Sequence, residues 1–236
     1  MRRIRGSIDL NNGNISVDNE TLHHLKVIRV NDSEILEVVD QGKAYKAVVK
    51  KAYPLELELL SKDPVPSREL PFTSVLLLPL LKHDNFELCL QKATELGVSL
   101  IVPFISERVI KRVTPDEFEE RRARYLKIIK EAVLQSNRTV EPELSGLADY
   151  RTVLKTQGDL KLFAYEEEAF SDIRKDLKIT EGMTVVSLIG PEGGFSPLEA
   201  KEAEDDGFLP LSLGKRILRA ETAVISLLSD VDFLGE

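Results

Sequence analysis

The 236 residues suffice for one large domain and one small one, and a chain 42% hydrophobic and 31% charged is excluded from the disordered class. One cysteine, Cys89, excludes an internal disulfide framework and three histidines give no metal-ligand spacing, so the expectation is a reducing, cytoplasmic protein without metal. No apolar run reaches the length of a membrane span, the basic start MRRIRGSIDL leads into no signal-type apolar stretch, and the acidic surplus behind the net charge of -8 lies almost wholly in the last 96 residues. A polyanion would therefore be met by the first part of the chain and the middle.

Residues 1–60 read as short strands at 15–17, 35–39, 44–49 and 55–60, divided by turn signals at Asn11-Asn12-Gly13, Asn31-Asp32 and Gln41-Gly42. Closely spaced short strands predict a small barrel. Between them TLHHLKVIRV (21–30) predicts a helix presenting His23, His24, Lys26 and Arg29. Residues 61–71, SKDPVPSRELP, have the composition of a linker, which places a first domain at 1–68 and a second at 69–236.

After the linker the pattern becomes α/β. A buried strand at 74–81 precedes a helix over 86–96, capped by Asp84 or Asn85 and ended by Gly97. Its apolar face includes Cys89, read as core because no catalytic partner accompanies it. A strand at 98–105 follows, then a long helix opened by Thr114, Pro115, Asp116 and Glu117. Phe118, Tyr125, Ile128, Ile129, Ala132 and Val133 form its buried stripe, and Arg121, Arg122, Arg124, Lys127 and Lys130 a solvated face. Residues 160–165 make another strand, with the acidic Glu166, Glu167 and Glu168 and a short amphipathic segment to Ile179 behind it. Strands alternating with helices predict a mainly parallel sheet covered on both faces.

The last stretch carries the chemistry. A strand containing Val185, Val186, Leu188 and Ile189 runs into GPEGGFS, and a helix opens with Ser196 as N-cap, Pro197 at N1 and Glu199 at N3. A second apolar run, 209–213, breaks at Gly214; the loop KRILRAETA then leads into a final helix over 224–234, with Thr222 or Glu221 able to cap it. Three loops in forty residues suit a ligand held mainly by backbone, with Gly190, Gly193 and Gly194 giving close approach and positive φ. GPEGGFS is neither dinucleotide fingerprint nor phosphate loop: Gly190 and Gly193 are three apart, and no Gly-Lys-Ser/Thr ends it. Glu192 amid the glycines favours a ligand with a positive centre or with hydroxyl and amino donors. Upstream, Glu131 and QSNR (135–138) end the long helix, where Arg138 is either a C-terminal cation or a functional group.

LIGPEGGFS (188–196), LSLGKRILRAETA (211–223), QKATELGV (91–98), PFISERV (103–109), EAVLQSNR (131–138) and HHLKVIRV (23–30) together resemble the bacterial 16S ribosomal RNA uridine-N3 methyltransferase family of the SPOUT superfamily. The resemblance spans nearly the whole chain in the family's order. It implies a C-terminal α/β domain tied in a deep trefoil knot, preceded by a PUA-like β-barrel that grips RNA, in a homodimer that methylates 16S ribosomal RNA in the small ribosomal subunit. It implies that the knot loops bind S-adenosylmethionine through Leu188, Ile189, Gly190, Glu192, Gly193, Gly194, Leu211, Ser212, Leu213, Gly214, Ile217, Leu218, Thr222 and Ala223. N3 of uracil is a poor nucleophile until its proton leaves, so a cation is expected beside the uracil oxygens, Arg219 or Arg138. Arg2, Arg3, Arg5, Lys26 and Arg29 are the expected phosphate contacts. His83 and Asn137 stand where family members usually carry glycine. Other readings are a relative acting on another RNA or atom, a catalytically silent ribosome-assembly factor, and an enzyme using a phosphate-bearing nucleotide.

Overall fold

The structure, a computed structural model, describes residues 2–108, 113–165 and 177–235. The chain divides into two compact units: residues 1–69 with 133–140, and residues 70–132 with 141–236.

The first unit contains β1 (Arg2–Arg5), β2 (Ser7–Asp9), β3 (Asn14–Ser16), α1 (Asn19–Val27), β4 (Ile35–Asp40), β5 (Lys43–Lys51) and β6 (Glu56–Leu59). One sheet runs β1-β4-β5-β6, with β1 parallel to β4 and the other pairs antiparallel; β2 and β3 form a hairpin. Ile4, Leu25, Leu36, Val38, Ala47 and Val49 belong to its own apolar core, with Leu57 and Leu59 against it from one face of the alternating β6. The strands read at 15–17, 35–39, 44–49 and 55–60 correspond to β3–β6. Helix α1 starts earlier and stops sooner than the sequence pattern indicates, because Asp18 caps it by accepting the Thr21 N–H at 2.7 Å and Arg29 turns left-handed at φ 51°.

Arg3 is expected among the phosphate contacts, and the structure corrects that. Arg3 lies opposite Glu37 of β4 in the parallel register. Its side chain is only 3% exposed, and the guanidinium ion-pairs with the Glu37 carboxylate, Nε donating at 2.9 Å. Nη1 donates to the carbonyls of Asn137 and, at 3.0 Å, Arg138. Arg3 is thus an internal tie and leaves the set of phosphate contacts; Arg2 is exposed and bonded to Glu34, while Lys26 and Arg29 are exposed. Arg138 is likewise buried: Nε and Nη2 both reach Glu69 Oε2 at 2.8 Å, and Glu69 also accepts the Thr139 and Val140 N–H groups. These bonds explain why residues 133–140, beyond the boundary read at 68/69, group with the first unit. Asn137 has φ 61°, a conformation that asparagine tolerates better than other non-glycine residues.

The second unit comprises β7 (Thr73–Pro79), α2 (His83–Glu95), β8 (Leu100–Ile105), most of α3 (Pro115–Gln135), β9 (Glu143–Leu144), β10 (Ala148–Asp149), α4 (Tyr150–Leu154), β11 (Leu160–Ala164), β12 (Thr184–Leu188), α5 (Pro197–Asp205), β13 (Leu209–Leu211) and α6 (Ala220–Leu234). Its sheet is parallel throughout the described residues, in the order β10-β8-β7-β12-β11-β13 with β9 beside β8. The central strands β7 and β12 are buried along nearly their whole length, as near-continuous apolar runs in a covered parallel sheet should be. Helix α2 packs on α6. The stripes read for α2 and α3 hold: Phe86, Cys89, Leu90 and Ala93, then Phe118, Tyr125, Ile129, Ala132 and Val133, are buried, with Ile128 half-buried. Phe86 meets Phe118 and Tyr125 edge-on, and those two rings are tilted against each other. On the outer face of α3, Arg124 pairs with Glu87, and Arg122 donates to the Leu144 and Ser145 carbonyls.

Two helix starts differ from the sequence reading. Helix α2 begins at His83, with Lys82 as N-cap and no side-chain cap; Asp84 and Asn85 are inside the first turn, where Asp84 complements the positive end of the helix. Helix α6 begins at Ala220 with Arg219 as N-cap, so neither Glu221 nor Thr222 caps it. Thr114 caps α3 as the sequence indicates, and Glu117 reaches back to the Thr114 N–H, which makes the cap reciprocal. The side chain of His83, Val109 at the end of PFISERV, and residues 166–176, which include the acidic run and most of the amphipathic segment, lie outside the described residues.

Gly97 ends the turn after α2 at φ 85°, and a Cβ there would lie 2.7 Å from Leu70. Gly97→Ala combines backbone strain with a clash and is expected to cost about 1–3 kcal/mol in urea unfolding.

Candidate functional site

The C-terminal ends of β11, β12 and β13 converge on a cavity of about 450 Å³. This is where open parallel sheets place ligands, because the loops leaving neighbouring strands diverge there. Ala164 and Tyr165 come from the end of β11; Ile189, Gly190, Pro191, Glu192 and Gly194 from the loop after β12; Ser212 to Gly214 and Arg216 to Arg219 from the loop after β13; and Ala220, Glu221 and Ala223 from the start of α6. Lys82 and Asn85 at the start of α2 complete the lining.

The β12 loop is held by its own backbone and by two braces. Ile189 N–H bonds the Leu77 carbonyl at 3.2 Å, and Gly194 N–H closes a turn on Pro191 at 2.9 Å. Of its three glycines only Gly194 has positive φ, 68°, which narrows the expectation of positive φ throughout. Gly190 and Gly193 serve close approach instead: a Cβ at Gly190 would sit 3.1 Å from the Phe195 ring, and one at Gly193 would sit 3.1 Å from Arg108 Cβ. Gly214 has φ 124° with open space in front of it.

The first brace is the reciprocal capping box that the spacing indicates. Ser196 Oγ accepts the Glu199 N–H at 3.2 Å, and Glu199 Oε2 accepts the Ser196 N–H at 2.9 Å. The other oxygen of Glu199 reaches the end of β8, accepting from Ser106 Oγ at 2.7 Å and from Glu107 N–H at 3.0 Å. Burial by itself raises the Glu199 carboxyl, but the bonds from Ser196, Glu107 and Ser106 outweigh it and hold the group below its ordinary value of 4.5. Arg108 is the second brace, its Nη1 donating to the Gly193 and Phe195 carbonyls at 3.4 Å.

Two carboxylates in the cavity wall have incomplete bonding. Glu192 Oε1 accepts the Lys82 N–H at 3.1 Å, but its Oε2 is buried with no partner, and so is Glu221 Oε2. The guanidinium of Arg219 is exposed at the cavity edge, its residue anchored through its carbonyl, which accepts the Ala223 N–H at 2.8 Å. Ile217, 87% exposed, lies on the same rim. Burial first, then the fields of Glu221 and Glu192, push the Cys89 thiol up to about 12. Cys89 is core, as its helix face indicates. At about pH 8 a thiol reagent is expected to leave it untouched in the native chain and to label it fully after unfolding; rapid native labelling would contradict this burial.

Most of the residues read from the three loops meet at this cavity. Leu188, Gly193, Leu211 and Thr222 do not line it: Leu188 and Leu211 are buried strand ends, Gly193 faces Arg108, and Thr222 is exposed on α6. Arg138 is not in the cavity lining, and its guanidinium is engaged by Glu69. Lys82, Asn85, Ala164, Tyr165, Arg216, Ala220 and Glu221 are lining residues that the sequence does not mark as binding. For Ala164 and Tyr165 the available signal was position, at the C-terminal end of a parallel strand.

Residues 68–232 match the RNA methyltransferase domain family. Ribosomal RNA small subunit methyltransferase E of Mesomycoplasma hyopneumoniae is 32% identical over 213 residues, covering 89% of this chain and 90% of that protein. The protein of the same name from Bacillus subtilis is 30% identical over 240 residues, covering 94% and 90%. Among solved structures, a ribosomal RNA small subunit methyltransferase E from Neisseria gonorrhoeae bound to S-adenosyl methionine superposes with a TM-score of 0.84 at 32% identity, covering 99% of this chain and 98% of that one. The chain therefore belongs to the ribosomal RNA small subunit methyltransferase E family.

Proposed function

We propose that this protein transfers the methyl group of S-adenosylmethionine to N3 of a uridine in 16S ribosomal RNA of the small ribosomal subunit. The observation that carries the reading is the cavity where three loops of the parallel sheet present backbone, glycine clearance and two under-bonded carboxylates. Its volume lies within the usual range for small-molecule pockets. Backbone at 189–190 and 212–214 suits an adenine and ribose, Ile217 and Leu218 give apolar contact, and the carboxylates suit a ligand with positive centres. The arrangement fits S-adenosylmethionine, which when bound supplies an electrophilic methyl group on a sulfonium.

This chain's own part is alignment, shielding from water and charge stabilisation. Arg219, at the cavity edge and at the positive end of α6, is placed to offset negative charge on the uracil oxygens as the N3 proton leaves. With Arg138 paired to Glu69, Arg219 is the cation we assign. N3 lies on the pairing edge of the base, so the target must be unpaired or flipped out.

The same reading makes the second unit a SPOUT domain with a deep trefoil knot, supported by the sheet order β12-β11-β13 and by the meeting of the loops after all three strands. It makes residues 1–68 a PUA-like RNA-binding barrel, supported by six strands around a separate core, with Arg2, Arg5, Lys26 and Arg29 toward phosphates. Exposed apolar Ile225 and Phe233 on α6 support a homodimer. The cytoplasm is the proposed location; no helix among the described residues is long and apolar enough to cross a membrane. RNA affinity is expected to fall steeply with salt, and a salt-insensitive affinity would remove the phosphate role from these cations.

The test is transfer of labelled methyl from S-adenosylmethionine to small subunits lacking the modification, followed by nucleoside mass spectrometry. A single 3-methyluridine is expected. Label in another nucleoside would discard the uridine assignment, and no transfer would discard the activity.

A further inference from the structure

Helices α2 and α6 pack on each other, and both start on the cavity. Their N-cap residues, Lys82 and Arg219, line it, and neither side chain caps its own helix. Glu192 Oε1 accepts the Lys82 N–H at 3.1 Å, which fixes the Lys82 backbone against the glycine loop. Lys82 is exposed, and among the described residues its ammonium makes no ion pair or hydrogen bond. The wall that holds Arg219 therefore holds a second cation that the fold itself does not use. Loss of the N3 proton leaves uracil with one negative charge shared by O2 and O4, which lie on opposite sides of N3. A cation at one oxygen leaves the other uncompensated. Arg216 leaves the same loop as Arg219, three positions earlier, whereas Lys82 reaches the cavity from a separate element.

We propose that Lys82 is a second catalytic cation, paired with Arg219 so that each uracil oxygen flanking N3 meets a positively charged donor. The inference rests on the methyltransferase reading above. In the step, the N3–H bond breaks and its proton passes to water. The N3–C bond forms as the S–C bond breaks, and that electron pair returns to sulfur. Charge appears on O2 and O4 as the proton leaves and is gone once the methyl group is bound. Lys82 and Arg219 act between those two points, on a state that neither bound RNA nor product contains. The positive ends of α2 and α6 add to both cations at the same wall. The arrangement also selects the base. Ammonium and guanidinium groups only donate, which suits a carbonyl on either side of N3. Cytosine carries a 4-amino donor on one side and would set donor against donor there.

The experiment is methyl transfer to small subunits lacking the modification, over a range of subunit concentrations, for the native full chain, Lys82→Met, Lys82→Gln and Lys82→Arg. Calorimetry of S-adenosylmethionine binding and a melting curve accompany each. Lys82→Met keeps the length of the side chain and removes its charge. It is expected to lower the rate at saturating subunit and cofactor by about 10²-fold. Cofactor affinity should stay within about twofold of native, which also reports an intact fold. Lys82→Arg should recover part of the rate, because charge and donors return. A Lys82→Met rate within about threefold of native overturns the proposal, and so does Lys82→Arg as slow as Lys82→Met. A native melting curve with lost cofactor affinity would assign Lys82 to the cofactor's carboxylate instead. A raised KM for the subunit with kcat unchanged would make it a phosphate contact; either result overturns the proposal. Should Lys82→Met melt early, Lys82→Gln takes its place with the same required outcomes. No transfer by the native chain refutes the underlying reading, a separable result.

Discussion

Arg219→Ala is expected to lower methyl transfer by about 10²–10³-fold with cofactor and RNA saturating, while cofactor binding is retained. The size follows from its place. The side chain makes no cap to α6, so truncation leaves the helix start intact, and the carbonyl anchor to Ala223 survives any substitution. What is lost is a positive charge at the cavity edge, added to the positive end of α6, where charge develops on the uracil oxygens. A charge that matters only during reaction lowers turnover rather than binding. Single-turnover rates with preformed complex measure this directly. Arg219→Lys should recover part of the rate, since it restores the charge without the planar fork. If Arg219→Ala kept full turnover, Arg216 on the same cavity wall would take the assignment.

The largest loss of stability is expected from Glu199→Ala, about 3–5 kcal/mol in denaturant unfolding. One carboxylate here satisfies the Ser196 N–H, the Glu107 N–H and the Ser106 hydroxyl; Ser106, Ser196 and Glu199 itself are buried, and removal of the carboxylate leaves their donors without an acceptor. The Tyr150 hydroxyl, which donates to the Glu199 carbonyl at 2.7 Å, is unaffected. Glu199 also ties the exit of the glycine loop to the end of β8, so cofactor affinity should fall with stability. The pH dependence has a definite sign. The carboxyl is held below 4.5 in the folded chain, so its stabilisation is complete above that value and is lost as pH falls through the depressed folded value. Glu199→Gln should flatten that acid limb; an unchanged limb would show that another group controls it.

What could be read from the chain was what it encodes locally. The Ser196–Glu199 box, the Thr114–Glu117 cap and the stripes of α2 and α3 depend on residues three or four apart, and all stand in the structure. Strand β1 was missed because RRIR looks like a solvated basic run; only its partner, Glu37, makes an inward arginine acceptable, and that partner is 34 positions away. The same limit leaves Arg138 open between a C-terminal cation and a functional group, because its partner Glu69 lies 69 positions back. Strands β9 and β10 have two residues each and α4 has five, too few for any period to show. At the cavity, the glycine loops were legible as motifs. Ala164 and Tyr165 were not, because they join the site only through the parallel pairing of β11 with β12 and β13.

The tie from Arg3 to the carbonyls of Asn137 and Arg138 spans 134 and 135 positions, which has a consequence for biosynthesis. A chain emerging from its amino end can form the β4–β5 hairpin early, but it must wait more than half its length for the acceptors that complete the burial of Arg3. Until then this guanidinium, beside Glu37, keeps donors that nothing yet caps, in a partly formed apolar core. The first unit is therefore first in translation but not first to be finished. Its final consolidation awaits the end of α3, by which point β7, α2 and β8 have already been made. Truncations ending before residue 137 are expected to give a looser, more protease-sensitive amino-terminal unit than truncations ending after residue 140.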